Sequence, residues 1–91
     1  KNDSKSFFVY ILECRDKSLY TGATSDVQKR VLQHNTAKAG AKYTKARRPV
    51  RLKYSEECKT FGESRGREAE IKRMKRIDKL ALIKKGKKKL P

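Results

Sequence analysis

The sequence predicts an α+β domain in which a small three-stranded antiparallel sheet is flanked by helices, in the order ββαβαα. Three observations carry this. A run of aromatic and branched residues beginning at Phe7 is too short for a free-standing buried helix. Val50, Leu52 and Tyr54 alternate with Arg51, Lys53 and Ser55, the period of a half-exposed strand. After Thr60 the apolar residues recur at helical spacing instead. Ninety-one residues make one domain with a single small core. The domain is expected over residues 7–85, between a disordered segment, 1–6, and a basic flexible tail, 86–91.

The first strand, residues 7–14, reads Phe-Phe-Val-Tyr-Ile-Leu-Glu-Cys and is expected to be covered on both faces. Arg15-Asp16-Lys17-Ser18 is the turn, although no Gly supplies the positive φ that tight hairpin turns favour. Residues 19–23 return as the second strand, and Gly22 within it marks a bulge or a close backbone approach. Ser25 with Gln28 forms a capping-box pattern that opens the first helix, with Asp26 in its first turn. Val27, Val31 and Leu32 form its apolar side, and Asn35 is its stop. Residues 36–49 read as a polar, basic connection closing in Arg47-Arg48-Pro49. The third strand follows, with Val50, Leu52 and Tyr54 on one face and a basic outer face. Thr60 to about Lys75 is the second helix, with Ile71, Met74 and Ile77 as its buried stripe and Gly62 and Gly66 weakening its first turns. Asp78 caps a short third helix carrying Leu80, Leu82 and Ile83, and Gly86 ends it.

Lys and Arg outnumber Asp and Glu 26 to 10, for a formal charge of +16. Self-repulsion on that scale costs stability in the free chain, so an anionic partner is the natural counterpart. No stretch approaches the ~18 apolar residues of a membrane-spanning helix, and no N-terminal apolar segment resembles a secretory signal. Nucleic acid is therefore favoured over a membrane, and a cytoplasmic location is expected. Cys14 and Cys58 are too few for a disulfide framework and lack the paired spacing of a zinc site. Both read as reduced thiols, with a bridge between them left open.

Five residues stand out as carriers of chemistry. Tyr10, in Val9-Tyr10-Ile11, and Tyr20, in Tyr20-Thr21-Gly22, occupy the paired strands. Arg30 and His34 share one helical face, and Glu68 lies on the second helix. Read one at a time, each has an ordinary explanation. Strand tyrosines pack small cores with their hydroxyls reaching water, Arg30 is a solvated charge, His34 is a packing residue, and Glu68 pairs with Lys72. Their order, followed by Asn35, Ala41-Lys42-Tyr43-Thr44, Arg47-Arg48-Pro49 and Arg67-Glu68 ahead of Ile71-Lys72, argues otherwise. In these residues the chain resembles the GIY-YIG nuclease superfamily over residues 7–83, most closely the small single-domain members related to the N-terminal nuclease domain of UvrC. It departs from the pattern at Val9 in place of the first Gly, at Thr21 in place of an Ile, and at Ala23, where many active relatives carry Lys. The late Asn of larger members has no counterpart.

The resemblance implies a metal-dependent endonuclease acting on nucleic acid, with DNA favoured over RNA and a repair or recombination role. Tyr20 would be the general base, a demanding role at tyrosine's reference pKa of about 10, so nearby cations must favour the phenolate. Tyr10 would orient the water or share the proton. Arg30 would grip the scissile phosphate by a charge-assisted contact. His34 would donate to phosphate or tune Tyr20, and Glu68 would hold Mg²⁺ (or Mn²⁺), which rarely receives an all-protein cage. Glu70 is the rival carboxylate. All five side chains are then expected on one concave surface. The basic stretch Lys42, Tyr43, Lys45, Arg47, Arg48, Arg51 and Lys53 would contact backbone phosphates without reading sequence. A second reading is a non-catalytic DNA- or RNA-binding module on a nuclease fold, and a third is a basic protein associated with RNA or the ribosome. A protein partner or homodimer is compatible with either.

Overall fold

The computed structural model of the protein describes residues 6–36 and 42–86. The chain runs β1 (Phe7–Glu13), β2 (Leu19–Thr24), α1 (Val27–Thr36), α2 (Lys42–Lys45), β3 (Arg51–Cys58), α3 (Phe61–Lys72) and α4 (Arg76–Gly86). The antiparallel sheet has the order β2-β1-β3, so the run richest in apolar residues takes the centre. This is the expected α+β order ββαβαα with one added helical turn, α2, inside what the sequence presents as a plain connection. The proposed disordered segment and basic tail lie outside the described residues, apart from Ser6, whose hydroxyl bonds the Glu57 carboxylate, and Gly86, which belongs to α4.

Because β1 is central, it buries both faces. On one side Val9 and Ile11 join Tyr54, Cys58, Ile71 and Ile83, under α3 and α4. On the other Tyr10, Leu12 and Cys14 join Val50, with Val31 of α1 packed against them. Val9, Ile11 and Leu12 are fully enclosed, each contributing roughly 1.5–3 kcal/mol of transfer free energy.

The two-layer core splits the expected single apolar face of β3. Ile11 lies opposite Tyr54 but Leu12 lies opposite Leu52, so Lys53 is an extra residue in a bulge. The bulge turns Tyr54 to the α3–α4 side while Val50 and Leu52 stay on the α1 side. Tyr54 then packs against the α4 terminus, where a methyl at Gly86 would fall 2.7 Å from its ring. The two cysteines end on opposite faces, so no bridge joins them, and burial pushes both thiols above their usual range.

Several boundaries shift for identifiable reasons. Asp26, not Ser25, caps α1: its carboxylate accepts the Lys29 N–H at 3.1 Å, while its own N–H donates to the Thr24 hydroxyl. Asn35 does not stop α1, which runs to Thr36. Its side chain instead bonds the Val50 backbone in both directions, at 2.8 and 3.0 Å. Leu32 is 62% exposed because Val31 takes the place facing the sheet. α3 ends at Lys72, leaving Met74 partly buried and Ile77 71% exposed on α4. Asp78 sits in the first turn of α4 rather than capping it. In the hairpin turn Lys17 takes the positive φ itself, at 73°, a conformation that costs a non-Gly residue about 1–2 kcal/mol.

Candidate active site

Gly22 pairs with Tyr10 across β1 and β2, and it is the close approach the sequence marks. A methyl at position 22 would lie 2.4 Å from the Tyr10 hydroxyl oxygen. The phenol therefore lies flat over bare backbone and reaches α1, where its hydroxyl shares a 2.8 Å hydrogen bond with His34 Nε2. His34 Nδ1 shares another, at 2.8 Å, with the Thr44 hydroxyl of α2. Tyr10 and His34 are each 1% exposed and Thr44 is fully buried.

Burial, reinforced by the nearby charges of Arg30 and Arg48, lowers the His34 pKa to about 4, so the ring is neutral at pH 7. Both ring nitrogens of His34 are thus engaged inside the protein, by the Tyr10 and Thr44 hydroxyls. Burial raises the Tyr10 pKa, partly offset by a hydrogen bond and charge from Arg30, so Tyr10 remains a phenol.

Tyr20 follows a different environment. Its ring meets His34 edge-on at 5.2 Å and stacks on Tyr43 at 6.0 Å, while its hydroxyl makes no hydrogen bond among the described residues. The Arg47 guanidinium lies 3.9 Å over the Tyr43 ring, donates to the Tyr43 carbonyl at 2.9 Å and pairs with Asp16 at 3.1 Å. Arg47 thereby ties the β1–β2 turn to α2. Arg48 donates from Nε to the His34 carbonyl at 2.5 Å. Both arginines of the Arg-Arg-Pro corner thus build the site's wall. Lys42, Tyr43, Lys45 and Arg51 of the same basic stretch are exposed, and Lys53 is half-buried.

Arg30 bonds Gln33 at 3.3 Å and lines an open cleft of about 440 Å³ with Ala23, Thr24, Asp26, Lys29 and Gln33. The fold thus gathers Tyr10, Tyr20, Arg30 and His34 on the α1 side. Glu68 belongs to the other helical layer. It pairs with Lys72 at 2.9 Å and Arg65 at 3.4 Å, and its charge reaches the Tyr10 phenol without touching it. Its rival Glu70 pairs with Arg67 instead, at 3.0 Å. Thr44, Lys29 and Gln33 are contributors that sequence reasoning gave no role. Thr44 belonged to a segment carrying the resemblance, but only the α2 turn reveals its hydroxyl beneath His34.

Comparison with known proteins agrees with this geometry. The family model described as the GIY-YIG catalytic domain matches residues 6–81. The UPF0213 protein of Syntrophus aciditrophicus is 54% identical over 85% of this chain and 88% of the relative. That of Staphylococcus saprophyticus is 51% identical over 87% and 95% respectively. The solution structure of the UPF0213 protein BH0048 from Bacillus halodurans superposes with a TM-score of 0.58 at 41% identity, covering 90% of this chain and 87% of the other. The chain belongs to the GIY-YIG family, as a small single-domain member.

Proposed function

We propose that the protein is a metal-dependent endonuclease that hydrolyses phosphodiester bonds in nucleic acid, most readily DNA. The observation that carries this reading is that Arg30, a cation lining an open cleft, also reaches the Tyr10 phenol, which belongs to a tyrosine cluster held by a neutral histidine. Arg30 grips the scissile phosphate through charge-assisted bonds. The Tyr20 oxygen, unbonded among the described residues, acts as the phenolate and takes a proton from the attacking water. The water oxygen bonds to phosphorus as the bond to the leaving oxygen breaks, and that oxygen takes a proton from solvent. Tyr10 stays protonated and orients that water, its ring locked by His34 and Gly22. Lys29 supplies the positive charge beside Ala23, where relatives carry a lysine.

The donor set fits a magnesium or manganese ion sparingly. Among the described residues no three acidic, histidine or cysteine groups cluster, so the ion would rest on one protein carboxylate, Glu68, with phosphate oxygens and water completing the shell. When bound, the ion would stabilise charge developing on the phosphate. In the free protein Lys72 and Arg65 hold that carboxylate.

Those ion pairs, with Ala23, also favour a second reading, a nucleic-acid-binding module without catalysis. Nicking of supercoiled plasmid in Mg²⁺, in Mn²⁺ and in EDTA separates the two. Nicking with either metal and none in EDTA is expected. Undiminished nicking in EDTA overturns the metal dependence, and no nicking under any condition favours the binding module.

A further inference from the structure

The buried bonds around His34 have a direction as well as a position. Tyr10 shares a hydrogen bond with His34 Nε2 and Thr44 shares one with His34 Nδ1, both at 2.8 Å, and all three residues are enclosed. A neutral imidazole has one N–H and one bare nitrogen, and burial beside Arg30 and Arg48 keeps this ring neutral. Two arrangements satisfy that rule. In the first, the Tyr10 hydroxyl donates to a bare Nε2, and Nδ1–H donates to the Thr44 oxygen. In the second, Thr44 donates to a bare Nδ1, and Nε2–H donates to the Tyr10 oxygen. Arg30 decides between them. Its guanidinium, which has only donors, bonds the same phenol oxygen. In the second arrangement that oxygen accepts from two N–H donors, and its own proton is left with no acceptor among the described residues. An enclosed donor without a partner is costly enough to favour the first arrangement by roughly tenfold or more.

We infer that Thr44 is a positioning residue for the proposed reaction. Its oxygen fixes His34 in the Nδ1–H form, and the bonds then run in one direction, from Arg30 to Tyr10 to His34 to Thr44. The second nitrogen of a histidine sets what the first can do, so a hydroxyl on α2 governs a phenol on β1 that it does not touch. With its proton committed to the interior, Tyr10 only accepts toward Arg30 and toward a water beside it. That steadies the guanidinium that lines the open cleft. An attacking water gives one hydrogen to Tyr10 and the other to Tyr20, which leaves a lone pair of its oxygen for phosphorus. This last role rests on the nuclease reading, whereas the direction of the bonds does not.

His34 is the only histidine of the chain, so long-range proton–nitrogen NMR spectra of the free protein at neutral pH read its two ring nitrogens without overlap. A protonated, pyrrole-like Nδ1 and a bare, pyridine-like Nε2 are expected, and a protonated Nε2 in wild type overturns the inference before any variant is made. Thr44→Val keeps the side-chain shape but removes the acceptor. It is expected to raise the Nε2–H fraction and to free rotation of the Arg30 guanidinium in the same spectra. Thr44→Ser restores the acceptor and should return both signals to their wild-type form; a Thr44→Ser protein with a changed tautomer overturns the inference even if Thr44→Val does not fold. In single-turnover cleavage Thr44→Val is expected to be slower by up to ~10²-fold, the cost of misplacing a reacting group by about 1 Å, and Thr44→Ser should match wild type. A wild-type rate in Thr44→Val despite an altered tautomer overturns the positioning role. The Nδ1–H form in a protein that never cuts any substrate keeps the direction of the bonds and overturns only the nuclease reading.

Discussion

A single methyl at position 22 would collide with the Tyr10 hydroxyl oxygen, and that collision connects a backbone requirement to the chemistry. Gly22→Ala is expected to cost about 1–3 kcal/mol through overpacking and to break the Tyr10–His34 bond. Its cleavage rate should therefore fall further than its stability alone explains. A variant with wild-type melting and wild-type rate would contradict the placement of Tyr10. His34 carries a second consequence. In the unfolded chain a histidine protonates near pH 6.5, but in the fold only near 4. Over that window the unfolded state binds more protons, so stability is lost as pH falls from about 6.5 toward 4. The loss attributable to His34 reaches at most ~3 kcal/mol. Thermal melts at pH 7.5 and pH 5 should show a larger drop for wild type than for His34→Gln, and equal drops would contradict a buried neutral ring.

At the scale of elements, the entry to α1 decides how Arg30 and His34 are aimed, and Asp26 fixes that entry. Asp26→Ala is expected to cost ~1 kcal/mol, whereas Ser25→Ala should stay within a few tenths; chemical denaturation of the two variants checks this, and the reverse ranking would restore Ser25 as the cap. This also marks where the sequence was legible. Strand and helix identities followed from periodicity, and Gly22 marked either a bulge or a close approach, of which the structure shows the second. The cap was ambiguous because adjacent Ser25 and Asp26 are both good acceptors, and only backbone geometry chooses between them. The alternation of Val50, Leu52 and Tyr54 misled for a related reason. A bulge at Lys53 leaves the sequence pattern intact while reversing the face of everything beyond it. The α2 turn, too short to show a period, hid Thr44. Tyr10, Tyr20, Arg30 and His34 were legible as a group through their order, but the distance of Glu68 from them depends on how α3 docks across the sheet, which no local pattern encodes.

The whole molecule is a thin sheet between two helical layers. The α1 layer carries the tyrosines, histidine and Arg30, and the α3–α4 layer carries Glu68. Among the described residues no helix is long and apolar enough to cross a membrane. Carboxylates hold the α3 cations Arg65, Arg67 and Lys72, and Asp16 holds Arg47. A surface this basic suits a polyanion. The nuclease reading requires the two layers to act together on it, with Arg30 and Tyr20 from one and Glu68 from the other. The most direct measurement is single-turnover cleavage by wild type, Tyr20→Phe and Glu68→Ala in Mg²⁺, on a duplex that all three are shown to bind. Wild type should cut, Tyr20→Phe should cut slower by the ~10²–10⁴ expected for a lost general base, and Glu68→Ala should bind but not cut. Equal rates for all three, or a wild type that cuts nothing in Mg²⁺ or Mn²⁺, would contradict the account.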